Sequence, residues 1–354
     1  MKVIAVASHD TQSASAAVPT QEKDFIFISC GTWSLYGTEL DEPVIGEKSL
    51  EMNVSNEGGY GGKINFLKNL TGLWMVQESR RQWIREGNEY SFGELETQAK
   101  EVELFQNFVD ANAEEFVPSG NMPRRIREYC KQTGQTVPET PGEIVCCINQ
   151  SLAMKYRREL DKIQYCLNKK YDTIHMIGGG IQSNLLCQMT ANATGCRVAA
   201  GPVEATAFGN IAVQMIALGQ IKDIKEAREI IERSEATCYY EPQNTEEWSQ
   251  AYARYCQVTK KTGRRIRNKK TIIKLRRRDC SNLLRSFAIP GEGYVLLTGV
   301  PRWLHHHIQI SSQHQNHLRL SEYEPVSVQL IRWKDPWLLS VHRQGKRGQP
   351  GLHS

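Results

Sequence analysis

Asp172-Thr173-Ile174-His175-Met176-Ile177 runs into Gly178-Gly179-Gly180, and three further elements follow within forty residues. The first six residues read as a strand, the glycines as a turn, and Ser183–Thr194 as a helix. Arg197–Ala200 reads as a second strand. Pro202, placed in a first helical turn, opens a helix that reaches Leu218 and stops at Gly219. Strand and helix in alternation predict an α/β layer.

Before this stretch, Pro141-Gly142-Glu143 opens a long helix to about Asn168, with Ile144, Ile148, Leu152, Met154 and Leu160 inward. Shorter helices and loops are expected over residues 87–137. Lys63 to Glu86 reads as helical, with Ile64, Leu67, Leu70, Leu73, Trp74 and Ile84 on one apolar stripe. The glycine turn Gly58-Gly59-Tyr60-Gly61-Gly62 is thus expected to lead straight into a helix. Phe25–Ile28 reads as a buried strand closed by Ser29-Cys30-Gly31-Thr32, and Trp33–Leu40 as its returning partner. Val3–Ala7 reads as a short strand with Ser8-His9-Asp10-Thr11 at its end. Ile224–Arg233 and Glu246–Gln257 are expected to be closing helices.

The length of 354 residues allows about two domains. The net charge of +5 hides two opposite parts. Residues 1–259 carry 25 Lys or Arg against 34 Asp or Glu, whereas residues 260–354 carry 19 against 5. Such asymmetry marks a basic tail or a change of sequence origin. The ten cysteines are scattered without a Cys-x-x-Cys pair, as expected of reduced thiols in a cytosolic chain. Val3–Ala7 is too short for a secretory core, and no run approaches the ~20 apolar residues of a membrane span. A cytoplasmic chain without membrane contact is expected.

Three places could carry chemistry. Asp10, beside His9 at a strand end, is a candidate general base, because a carboxylate needs only reach and a suitable pKa to take a proton from a hydroxyl. Most His-Asp pairs, however, are turns or surface residues. Gly31-Thr32 offers bare amides and a hydroxyl to phosphate oxygens, or else forms an ordinary hairpin. Gly178-Gly179-Gly180 imitates a dinucleotide fingerprint, but Arg197–Gly201 supplies no acid for the ribose. A close backbone approach to an adenosine suits these glycines better. Asn69 and Gln77, eight apart on the expected helix, differ by about 80° in direction and could border one cleft. Ala205 and Gly209 are spaced for helix packing. Trp74 and Trp83 read as packing residues, and Glu78, Arg80 and Arg81 as surface or ion-pair residues.

In order and wording, five pieces resemble the C-terminal half of the rhamnulokinases, a branch of the FGGY family of sugar kinases. They are Ala7–Thr11, Gly31-Thr32-Trp33-Ser34, Asn56–Gly62 with Phe66–Leu70 and Gly72-Leu73-Trp74, Gly178–Gly180, and Glu204–Asn210. The resemblance runs over about residues 1–258. It implies an actin-like ATPase (ribonuclease H-like) fold, of which residues 21–258 are the C-terminal domain and residues 1–20 the end of the first lobe and crossover. It implies transfer of the ATP γ-phosphoryl group to the 1-hydroxyl of L-rhamnulose, with Mg²⁺, to give L-rhamnulose 1-phosphate. Asp10 is then the base, and His9, Asp10, Thr11 and Asn69 surround the sugar. Thr32, Gln77 and Gly179 hold ATP, and no residue is assigned to a metal. An L-fuculose or xylulose kinase is a neighbouring alternative.

The same resemblance leads to the expectation that the family's first lobe is absent, so that the chain is truncated and inactive alone. A separately encoded first lobe is left open. Residues 259–354 match nothing in the family and are expected to be a disordered basic tail. Lys260–Arg278 holds eleven Lys or Arg and no acid, yet it lacks the interleaved aromatics that stack on bases. Nucleic acid is therefore not an expected partner. A non-catalytic nucleotide-binding remnant whose tail binds nucleic acid stays as the second reading. His305-His306-His307 is read as incidental.

Overall fold

The computed structural model describes residues 3–7 and 9–267, together with four strands between Ile308 and Arg343. The chain divides into two compact units, Met1–Ile266 and Arg267–Ser354.

In the first unit seven strands form one mixed sheet. They are β1 (Ile26–Cys30), β2 (Trp33–Leu40), β3 (Ser55–Gly58), β4 (Ile64–Thr71), β5 (Thr173–Ile177), β6 (Arg197–Ala200) and β7 (Cys238–Tyr240). Their order is β3-β4-β2-β1-β5-β6-β7. β1, β5 and β6 run parallel, and the outer strands pair antiparallel. The two-residue period of a strand sends side chains to opposite faces. Ile26, Ile28 and Cys30 join the larger core, and Phe25 and Phe27 join a smaller one.

The larger core is covered by α2 (Glu47–Met52), α3 (Trp74–Arg85), α4 (Phe92–Lys100), α5 (Met122–Gln132), α6 (Pro141–Leu167) and α7 (Asn184–Thr194). α6 starts where the sequence says it should. The Thr140 hydroxyl accepts from the Glu143 amide at 3.2 Å, and the Glu143 carboxylate accepts from the Thr140 amide at 2.8 Å. The opposite face carries α1 (Asp10–Ala16), α8 (Ala205–Ala217) and α9 (Ile224–Ser234). α1 and α8 meet almost backbone to backbone. A Cβ on Gly209 would lie 1.8 Å from the Ser13 carbonyl oxygen, so only glycine fits the crossing. Ala205 is buried in the same core, and both small residues serve packing as expected.

Several expectations need correction. Val3–Ala7 forms no strand, and Asp10–Ala16 is helical. Lys63–Glu86 is not one helix. The glycine turn leads into strand β4, and the helix begins only at Trp74. Ile64, Leu67 and Leu70 imitate helical spacing because both faces of β4 are buried, which erases alternation. Pro202 precedes α8 by three residues instead of opening it. The last helix, α10, runs from Thr245 to Arg267, past the expected helix end at Gln257.

In the second unit β8 (Ile308–Gln309) pairs with β9 (Arg319–Leu320), and β10 (Val326–Arg332) with β11 (Trp337–Arg343), both antiparallel. Of residues 259–354, expected to be a disordered basic tail, the described ones are the end of α10 and these four strands. The basic run after Arg267 and His305–His307 lie outside the described residues.

Candidate active site

β1, β5 and β6 share a carboxyl end, and an α/β sheet presents its ligand sites there. Thr32 lies in the turn after β1, and Gly179 in the turn after β5. The two turns are packed together through missing side chains. A Cβ on Gly180 would lie 2.3 Å from Cys30 Sγ, and one on Gly178 2.9 Å from the Cys30 carbonyl oxygen. Gly179 between them meets nothing within 4 Å, so its backbone faces open space. Below them, burial pushes the Cys30 thiol pKa up, and Ser34 and Tyr156 share a hydrogen bond of 2.7 Å.

Thr32 and Gln77 come together as well. The Thr32 hydroxyl donates to Gln77 Oε1 at 3.1 Å. Gln77 stands in the first turn of α3, and the amides of Leu73 and Trp74 donate to the carbonyls of Gly31 and Thr32. The helix start is thereby clamped to the β1–β2 turn. One detail of the turn differs from expectation. The Gly31 amide is not bare, because it donates to the Trp33 carbonyl at 2.8 Å.

His9 and Asp10 stand at the start of α1. Asp10 Oδ1 accepts from the Thr11 amide at 2.7 Å and lies 3.2 Å from His9 Nδ1. Both side chains are exposed, and Oδ2 has no partner among the described residues. Thr11 is buried. The Thr206 hydroxyl, in the first turn of α8, donates to the Asp10 carbonyl at 3.4 Å. The Gly178 amide donates to the Pro202 carbonyl just before α8. A chain of contacts therefore links Asp10 to the glycine loop along the same end of the sheet.

Asn69 does not share a helix with Gln77. It sits on β4 opposite Leu35 of β2, near the carboxyl end of the strand and exposed. It faces the same side as Asn65, which α1 covers, and it lies about 13 Å farther along. No contact joins Asn69 to another candidate among the described residues. Its place is on the uncovered sheet floor beside α1.

Sequence reasoning missed Gln12, Asn65 and Glu57. Gln12 Nε2 donates to Glu57 Oε2 at 2.9 Å, Asn65 Nδ2 donates to Gln12 Oε1, and Asn65 Nδ2 also reaches Ser15 Oγ at 2.9 Å. Gln12 is an isolated polar residue among Ser and Ala, and nothing local marks it. Trp74 and Trp83 pack, as expected, and Trp74 Nε1 donates to the Phe116 carbonyl. Glu78 is an ion-pair residue, though a buried one. Burial raises its pKa, but the Gly120 amide and the guanidinium groups of Arg81 and Arg85 hold it below the ordinary carboxylate value.

A cavity of about 390 Å³ opens at the opposite end of the sheet, beside Lys23, Asp41, Lys63 and Arg228. None of the candidate residues lines it. Among the described residues no three His, Cys, Asp or Glu side chains gather as a metal cage. Also among them, no helix is long and apolar enough to cross a membrane.

The rhamnulokinase of Bacteroides thetaiotaomicron is 43% identical over 253 residues, which are 72% of this chain and 51% of that protein. That of Bacillus subtilis is 43% identical over 233 residues, 66% of this chain and 47% of the relative. The chain thus spans about half the length of the curated relatives it matches. Among solved structures, gluconate kinase from Lactobacillus acidophilus superposes with a TM-score of 0.52 at 14% identity, over 70% of this chain and 49% of that one. Plasmodium falciparum glycerol kinase with ADP gives 0.51 at 12% identity, over 75% and 51%. These likenesses show the actin-like fold of the sugar kinases. Residues 26–218 match the C-terminal domain of the FGGY family of carbohydrate kinases, and the chain belongs to that family.

Proposed function

We propose that this chain supplies the C-terminal half of a rhamnulokinase site, which moves the γ-phosphoryl group of ATP to the 1-hydroxyl of L-rhamnulose. The observation that carries the reading is the joint placement of Thr32, Gln77 and Gly179 at the end of the sheet where α1 presents His9 and Asp10. Identity of 43% to proteins named rhamnulokinase supports the choice of sugar.

Phosphoryl transfer asks a protein mainly for positioning and charge stabilisation. The open backbone at Gly179 lets an adenosine lie flat against the loop. Thr32, whose hydroxyl already has an acceptor in Gln77, turns its amide and side chain toward the phosphates. The Asp10 carboxylate takes the proton of the attacking hydroxyl through Oδ2, while Oδ1 stays bonded to the Thr11 amide. His9 and Asn69 hold the remaining sugar hydroxyls. Magnesium would be held chiefly by the ATP phosphates and water, with one or two carboxylates. When bound, it neutralises phosphate charge.

A two-domain kinase excludes water by closing its lobes. The matched region corresponds to one half of its relatives, so the test pairs the chain with a separately produced rhamnulokinase N-terminal domain. ADP release from Mg-ATP with L-rhamnulose is measured with and without that domain. We expect activity only with it, falling about 100-fold or more in Asp10→Asn. Activity of the chain alone would refute the need for the second half. No activity in either arm would refute the kinase reading itself.

A further inference from the structure

Three separate segments converge on one buried amide. Asn65 is fully buried on β4, and its Nδ2 is bonded to Gln12 and Ser15 of α1. A Cβ on Gly59, in the glycine turn, would lie 3.4 Å from the same nitrogen. Gln12, itself 2% exposed, donates onward to Glu57 at the entrance to that turn. The line therefore runs Ser15–Asn65–Gln12–Glu57, from the base-bearing helix, through the sheet, to the glycine turn. Asn65 Oδ1 has no partner among the described residues.

An apolar contact would hold a helix on a sheet at lower cost than buried amides. What amides add is direction, because their bonds tolerate little rotation about the helix axis. α1 has seven residues and crosses α8 without an interlocking side chain at Gly209. Packing seats this helix, with Thr11 to Ala16 buried, and Arg228 donates to the Ser15 and Ala16 carbonyls at its C-terminal end. Gln12 fixes its N-terminal end, two residues from Asp10. The amide also offers two ends to two partners. Its oxygen receives from Asn65, and its nitrogen donates to Glu57, so neither contact can shift without moving the other.

We propose that Gln12 is a positioning residue that couples the glycine turn, through Glu57, to helix α1, so that the turn and the Asp10 carboxylate move as one unit. Its bearing on catalysis rests on the kinase reading above, whereas the mechanical coupling does not.

Amide hydrogen exchange on the full chain tests the coupling without requiring activity. In Gln12→Leu, which keeps bulk but loses both bonds, exchange should quicken at least ten-fold in two segments far apart in sequence, residues 12–16 and 59–63. Residues in α6 should keep their protection, which shows that the fold survives. Glu57→Gln still accepts from Gln12 and should leave both segments protected. Glu57→Leu removes the acceptor and should loosen both. Loosening of α1 alone in Gln12→Leu would overturn the coupling, as would unchanged exchange in both segments. Should Gln12→Leu fail to fold, Glu57→Leu decides by the same two readouts. With the added N-terminal domain, Gln12→Leu should lower kcat about ten-fold and leave the KM for ATP unchanged. A wild-type chain silent in that assay would refute the kinase reading, and the exchange result would still judge the coupling.

Discussion

The two halves of the candidate site are built by different means. The proposed nucleotide end is made of strand termini and their turns. Gly178 and Gly180 press on Cys30, and the start of α3 is tied to the β1–β2 turn by amide-to-carbonyl bonds. Every piece there is continuous with the central sheet. The proposed sugar end rides on α1, seven residues long, with its acid and imidazole exposed at the tip. It is held by buried small residues, by the Arg228 bonds to its last carbonyls, by the Gln12 and Asn65 amides and by the glycine-centred crossing with α8. The lesson is that one candidate site joins a floor of strand ends to a short helix aimed by side-chain bonds. Adenosine and phosphates are the same in every turnover of every such kinase, so rigidity suits them. A base that must meet a particular hydroxyl gains from fine adjustment.

That contrast can be broken most severely at Gly180. A Cβ there would meet Cys30 Sγ at 2.3 Å and the Cys30 carbonyl at 2.9 Å. Gly180→Ala should cost about 3 kcal/mol, the upper range for overpacking, read as a fall in the urea midpoint. A loss below about 1 kcal/mol would mean that the nucleotide floor yields, and the contrast would fail.

Acid should probe the other half. His175 packs edge-on against Phe25 under α1 and α9, at 6.2 Å between ring centroids. Burial, with the nearby Arg228 charge, lowers its pKa to about 4. The unfolded chain takes up the proton first, near its ordinary value of 6.5, so the stability is complete above that pH. It is lost as pH falls toward about 4. By pH 5 the loss should be about 2 kcal/mol, and His175→Phe should flatten it in denaturation curves. An unchanged slope in that variant would assign the acid sensitivity elsewhere.

The smallest stability effect should come from the neighbour of the most sensitive glycine. Nothing lies within 4 Å of a Cβ on Gly179, so Gly179→Ala should change stability by less than about 0.5 kcal/mol. It should still weaken ADP binding in calorimetry, because the methyl group occupies the space proposed for the adenosine. Unaltered ADP affinity would move the nucleotide away from this loop.

Much of the floor was legible in the sequence, because strand β5, the glycine turn, α7 and β6 each carry local signals. The parallel strands are short apolar runs closed by glycines, and α6 announces itself with Thr140, Pro141 and Glu143. The region of Asn69 was misread because β4 is buried on both faces and its apolar residues fall at helical intervals. The arm was hardly legible at all. Asp10 and His9 attract attention by type, whereas Gln12 and Asn65 matter only through contacts across 53 residues. Long-range amide pairs leave no periodicity.

The Gly209 crossing has a mechanical consequence. Two helices that touch backbone to backbone, with no side chain wedged between them, form a pivot. Asp10 lies three residues from Ser13, about 4.5 Å along the axis, so a tilt of about 20° at the pivot would swing its Cα by about 1.5 Å. A displacement of about 1 Å is enough to cost a reaction roughly 100-fold in rate. Replacing Gly209 would jam this bearing, and loosening Gln12 would release its brake, so opposite mechanical faults should both slow the proposed reaction.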